Sequence, residues 1–176
     1  MQAIIEESWL KQPVWYKLYK TELVRDILFP VGKYHEDVFW SYQAVGRAQR
    51  VSVSDHIGYY YLQRGGSIMG AGYSLKRLDA VEAKVQRCAY IQEQFPEISA
   101  LATKNLWFTC IYHGQLAIRG LDTDASKRTM EYLKNVLREN PVNTCECSIK
   151  EKVWLAMARC SLTGICHIRN TLKIGL

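Results

Sequence analysis

The chain has 176 residues, 48% hydrophobic and 23% charged, a balance that fits a folded globular protein and excludes the disordered and fibrous classes. No apolar run reaches the roughly 20 residues that a bilayer-crossing helix needs, and acidic Glu6 and Glu7 stand where a secretory leader would carry lysines. The net charge of +6 lies mostly beyond residue 70, where 15 Lys/Arg face 10 Asp/Glu, against 8 and 7 before it. That surplus suits a solvated helical face or an anionic partner. The basic residues are scattered and form no recognisable binding motif, so nucleic acid is not an expected partner. The expected location is cytoplasmic, with at most peripheral contact at the inner membrane face.

Along the chain, short mixed elements come first, punctuated by Pro13, Pro30, Gly32, Gly58 and Gly65-Gly66. His35 to Ala48 reads as a helix, with acidic residues in its first turn and Val38, Phe39, Tyr42 and Val45 at helical spacing. Arg50-Val51-Ser52-Val53-Ser54 alternates as a half-buried strand does, and Tyr59-Tyr60-Tyr61-Leu62 is a β-favouring run. Helical periodicity takes over after Gly72. Four helices are expected, over Leu75–Gln94, Ile98–Arg119, Ala125–Glu139 and Ile149–Leu162, with Asp124 and Ser148 capping the last two. Leu101, Asn105, Phe108, Tyr112 and Leu116 form one expected core-facing stripe, and Met130, Leu133 and Leu137 another.

The six cysteines contain no CxxC pair, and Cys145, Cys147, Cys160, Cys166 and His167 fit no common zinc spacing. They read as reduced thiols, with Cys88, Cys110 and Cys160 acting as small hydrophobes. Asp122-Thr123-Asp124 is formally a DxD sequence, yet it follows Gly120 between two expected helices and reads as a turn and cap.

Chemistry concentrates between Trp15 and Met69, in three clusters. The first is Trp15-Tyr16-Lys17-Leu18-Tyr19; the second runs from Phe29-Pro30 through Gly32 to Glu36-Asp37; the third from Tyr59 through Gln63-Arg64 to Ser67-Ile68-Met69. In the second, a turn delivers two adjacent carboxylates to the start of a helix. The helix N-terminus favours their ionised form, while mutual repulsion eases protonation of one, so one of them is an available base toward a nearby hydroxyl. The plain alternative is that Asp and Glu simply suit a first helical turn. In the third, Arg64 on a glycine-containing loop can hold a diphosphate through paired N–H donors, or can be an ordinary surface arginine.

In this order the clusters resemble the C-terminal portion of bacterial family 2 (GT-A type) glycosyltransferases, across about 60 residues. The matching positions are Trp15, Lys17, Leu18 and Tyr19; Phe29, Pro30, Gly32, Glu36 and Asp37; and Tyr59, Tyr60, Tyr61, Arg64, Ser67 and Ile68. The resemblance implies an inverting transfer for cell-surface polysaccharide synthesis. Asp37 would act as base on the acceptor hydroxyl, with Glu36 beside it. Arg64, with Gln63 or Ser67, would steady the diphosphate, and Lys17, Trp15 and His35 would line the acceptor or phosphate side. It further implies a nucleotide-sugar donor, a sugar or lipid-linked acceptor, and a divalent metal (Mn or Mg) whose ligands this chain does not carry.

The implied fold is α+β: a small sheet remnant of a GT-A fold over residues 14–70, in an acceptor-side domain 1–70, followed by an all-helical segment 71–176. The nucleotide-binding half of such enzymes has no counterpart among the 14 residues before Trp15, so the chain alone is expected to be inactive and either to dimerise or to pair with that half. Two other classes stay open. One is a noncatalytic helical interaction module; the other, carried only by the basic surplus, is a nucleic-acid binder.

Overall fold

A computed structural model describes residues 1–62 and 72–175. Among them lie eight α-helices: α1 (Gln2–Ile5), α2 (Thr21–Val24), α3 (Glu36–Arg47), α4 (Asp79–Gln94), α5 (Ser99–Gly120), α6 (Thr123–Glu139), α7 (Ile149–Cys160) and α8 (Leu162–Thr171). Short 3-10 turns at Leu75–Leu78 and Pro96–Ile98 lead into α4 and α5. None of these helices is long and apolar enough to cross a membrane.

The expected sheet remnant is a correction. The described residues form no strand, so the architecture is all-helical and not α+β. The physical reason lies in residues 49–62. Val51, Val53, Tyr59, Tyr60, Tyr61 and Leu62 are all exposed, and none of these residues exchanges a backbone hydrogen bond with another described segment. A β-favouring composition describes side chains that suit a pleated, half-buried surface, and it yields no ladder without a second segment beside it.

The helices of the C-terminal part fall close to their expected bounds because their stops are covalent. Phe95 ends α4 before Pro96, Gly120 closes α5, and Asn140 ends α6 before Pro141. Capping is likewise local. Ser148 and Glu151 form a reciprocal capping box on α7. On α6 the cap is Asp122, not Asp124: its carboxylate accepts from the N–H groups of Asp124 and Ala125 at 3.0 and 2.8 Å. One helix escaped the sequence reading: Ser161 accepts from the Gly164 N–H at 3.1 Å and starts α8 directly behind α7.

At 22 residues and about 33 Å, α5 is the axle of the bundle. It packs against α4, α6, α8 and the small α1. Ala102, Leu106, Cys110, Ile111 and Ala117 are fully buried on it, and Met130, Leu133 and Leu137 answer from α6. The core face is therefore rotated from the stripe read off the sequence: Asn105, Phe108 and Tyr112 border a cavity, and Tyr112 is 42% exposed. Helix α1 is stitched to the bundle by its apolar side chains, Ile4 and Ile5, and by Asn105 Nδ2, which donates to the Ile5 carbonyl at 3.2 Å.

A second, smaller cluster holds α3. Ile27, Trp40 and Ala44 pack with Val14, Tyr19 and Val24, while Val38 and Phe39 reach across to Ala83 of α4.

Candidate functional site

The candidate site forms at the start of α3. Gly32, at φ +76°, occupies a backbone region that only glycine enters freely, and it turns the chain after Pro30. His35 sits at φ 58° and ψ 38°, the left-handed conformation, which directs the helix away from the turn. Two contacts pin this turn to α4: Lys33 Nζ bonds Glu82 at 2.6 Å and Asp79 at 3.2 Å, and the Tyr34 N–H donates to Asp79 at 2.9 Å. The acidic pair that follows is thereby held at a fixed entry angle.

Trp40, one turn into α3, gathers the first cluster around the second. Its indole N–H donates to the Ile27 carbonyl at 2.9 Å, Phe29 stacks on it at 5.1 Å, and Tyr19 meets it edge-on at 4.8 Å. The third cluster joins through Tyr61, which stacks on Trp15 with centroids 5.6 Å apart and planes 13° from parallel. Two aromatic groups result: Tyr19 and Phe29 on Trp40, joining the first and second clusters, and Tyr16 and Tyr61 on Trp15, joining the first and third.

The acidic pair at the start of α3 divides. Glu36 is exposed; Asp37 is half-buried, and burial, reinforced by the charge of Glu36, raises its carboxyl above the usual carboxylate range. A carboxylate held this way binds a proton more readily than one in water, which suits a general base. Its charge is felt by Lys17, Tyr16, Tyr19 and His35. Burial pushes the Lys17 ammonium down to about 8, with Asp37 pulling the other way. Lys17 donates to the carbonyls of Lys11 and Pro13 and lies 4.2 Å over the Tyr16 ring, so it braces the 11–17 turn. Tyr19, raised to about 12 by burial, keeps a buried hydroxyl without a partner.

The structure thus puts Lys17 within reach of the Asp37 charge with Glu36 adjacent, while Trp15 pairs with Tyr16 and Tyr61. His35 also borders a cavity against α4 and α5. Gln63, Arg64 and Ser67 lie outside the described residues. Among the described residues no group of three or more His, Cys, Asp or Glu side chains is placed to hold a metal ion. The divalent metal implied by the resemblance therefore has no fitting set of ligands there.

The sequence reading passed over Lys84, Arg87 and His113. A signal was present: Lys84 and Arg87 fall among Val81, Cys88 and Ile91, on the buried stripe of α4, where a charge is out of place.

No family model, curated protein or solved structure matches the chain.

Proposed function

We propose that this chain is the acceptor-side, C-terminal part of an inverting family 2 glycosyltransferase, with Asp37 as its base. The observation that carries the reading is the register of three motif clusters, W-x-K-L-Y, F-P-x-G-x-x-x-E-D and Y-Y-Y-x-x-R-x-x-S-I, along one stretch from Trp15 to Ile68. It is supported by the half-buried Asp37 beside Lys17 and Tyr19, and by Tyr61 stacked on Trp15.

In this reading Asp37 accepts the proton of a sugar hydroxyl as its oxygen attacks the anomeric carbon. The new glycosidic C–O bond forms on one face while the bond to the nucleoside diphosphate breaks on the other. The aromatic surface of Trp15, Tyr16 and Tyr61 offers flat apolar faces for the acceptor ring. Arg64, Gln63 and Ser67 take the diphosphate, as the resemblance implies. Donor binding and the metal belong to the nucleotide-binding half, which would pack on the exposed apolar span 49–62.

The test is a chimera. This chain is fused behind the nucleotide-binding half of a characterised family 2 enzyme, and release of nucleoside diphosphate is followed with donor and acceptor present. Asp37→Asn is expected to slow transfer by about 10²-fold or more, the range of a lost general base, with donor affinity unchanged. Equal rates for the two chimeras would end the reading.

The same exposed span also favours a second reading, a noncatalytic interaction module. Retained binding of a partner chain by an Asp37→Asn variant that shows no transfer defect would select it.

A further inference from the structure

An open cavity of about 370 Å³ lies between α3, α4 and α5 and is lined by His35 but not by Asp37. Lys84, Asn105, Thr109 and His113 line it, and Arg87 stands behind them. Lys84 Nζ reaches Thr109 Oγ1 at 2.8 Å, which uses one of its three N–H groups. The Thr109 hydroxyl in turn donates to the Asn105 carbonyl at 2.8 Å. Asn105 Oδ1 accepts from Arg87 Nη2 at 2.7 Å. Arg87 is 0% exposed, and its Nε and Nη1 have no hydrogen-bond partner. His113, 5% exposed, is held at Nδ1 by the Tyr73 hydroxyl at 2.9 Å and is kept neutral by burial.

Glu7 is the one carboxylate among the described residues that borders the cavity. Among the described residues, no carboxylate pairs with Lys84 or Arg87: Asp79 and Glu82 are engaged by Lys33, Asp26 by Arg47, and Glu151 by Lys104. Glu7 stands at the mouth, exposed, near enough for its charge to be felt by both cations but bonded to neither. Two cations one helical turn apart, one of them fully buried, are unfavourable unless an anion joins them. Phe108 and Tyr112 give the cavity an apolar side, and its volume exceeds that of a bare ion.

We propose that this cavity binds a phosphate group, free or carried on a small organic molecule. Lys84 meets its oxygens with its two remaining N–H groups, Arg87 supplies charge from behind Asn105, and Phe108 and Tyr112 face the organic body. A doubly charged oxyanion suits the two cations better than a single carboxylate. The inference stands apart from the glycosyltransferase reading, since neither Asp37 nor Lys17 borders the cavity.

The experiment is titration of the full chain at pH 7 with inorganic phosphate and with phenyl phosphate, at ionic strength fixed with chloride, followed by calorimetry. The expected result is saturable binding of at least one probe, weakened about tenfold or more by Lys84→Met, the loss of one charge-assisted contact. Tighter binding of phenyl phosphate identifies an organic phosphate as the natural class; binding of inorganic phosphate alone identifies the free ion. Three results would overturn the proposal: neither probe binds, Lys84→Met binds as the parent does, or only Glu7→Gln creates the affinity. The last would show that the chain's own Glu7 carboxylate fills the site. Lys84→Met removes a poorly solvated charge and is expected to fold, so its failure to bind is readable against an unchanged circular dichroism spectrum.

Discussion

Replacing Gly114 by alanine sets two known effects against each other. Gly114 lies inside α5, where alanine would ordinarily gain about 1 kcal/mol of helix propensity. An added Cβ would, however, stand 2.7 Å from Cys166 Sγ and 3.3 Å from Met130 Sδ. Optimal carbon contacts lie at about 3.5–4.0 Å, so α8 must retreat by roughly 1 Å. Cys166 has little room to do so: it is 0% exposed, and its thiol reaches the Ile111 carbonyl at 3.4 Å. Overpacking typically costs about 1–3 kcal/mol; a 2.7 Å approach to a buried sulfur sits at the upper end, about 2–3 kcal/mol, so after the propensity gain Gly114→Ala is expected to lose about 1–2 kcal/mol net. In a chain of this size that lowers Tm by roughly 2–8 °C. Urea unfolding provides the assay, with a lower midpoint and an unchanged m-value. A double-mutant cycle with Cys166→Ala, which removes the opposing sulfur, should show a favourable coupling of about 1 kcal/mol. A Gly114→Ala protein as stable as the parent, or more stable, would refute close α5–α8 packing as the reason for the glycine.

Ser148→Ala removes one half of the α7 capping box and should cost about 1 kcal/mol in the same unfolding assay. Lys84 gives a pH dependence: burial lowers its ammonium to about 8 in the fold, against 10.5 when unfolded. Below pH 8 both states carry the proton and the fold bears the burial penalty. From 8 toward 10.5 the folded state releases its proton first, so the Lys84 contribution should rise by roughly 2–4 kcal/mol. Above pH 9 the thiols of Cys88, Cys110 and Cys166, which burial holds protonated, act in the opposite sense, so the quantity to measure is the stability of the parent minus that of Lys84→Met, which should grow across this window. Tyr60→Ser, at a position 87% exposed, should change stability by less than about 0.5 kcal/mol, which thermal unfolding can check.

The helical part was legible because its signals are local. Proline, glycine and a capping serine act within a few residues, and they set the ends of α4 to α7. Signals that depend on distant partners misled. The alternation at Val51 and Val53 and the tyrosines at 59–61 carry a true preference for pleated surface, but no described segment offers them one. The stripe Leu101–Leu116 misplaced the core of α5 because three elements, α4, α6 and α8, press on it from different sides, and one apolar stripe cannot represent three contacts. At the candidate site, the approach of Asp37 to Lys17 was implied only by motif order, since the two are 20 residues apart. The charged side of the α4–α5 cavity left only a faint signal, a lysine and an arginine set among Val81, Cys88 and Ile91, because two such residues three apart also suit a solvated face until neighbouring helices cover them.

The attachment of α3 fixes what the chain can tolerate between α3 and α4. With Val38 and Phe39 packed on Ala83 and Lys33 bonded to Asp79 and Glu82, the stretch from Ala48 to Leu78 is a loop of about thirty residues anchored at both ends. Closure entropy grows only with the logarithm of loop length, so ten extra residues inserted after Ala48 would cost about 0.3 kcal/mol. Length in that part of the sequence is therefore nearly free to drift, and a reporter peptide or affinity tag spliced there should leave the bundle's melting point where it was.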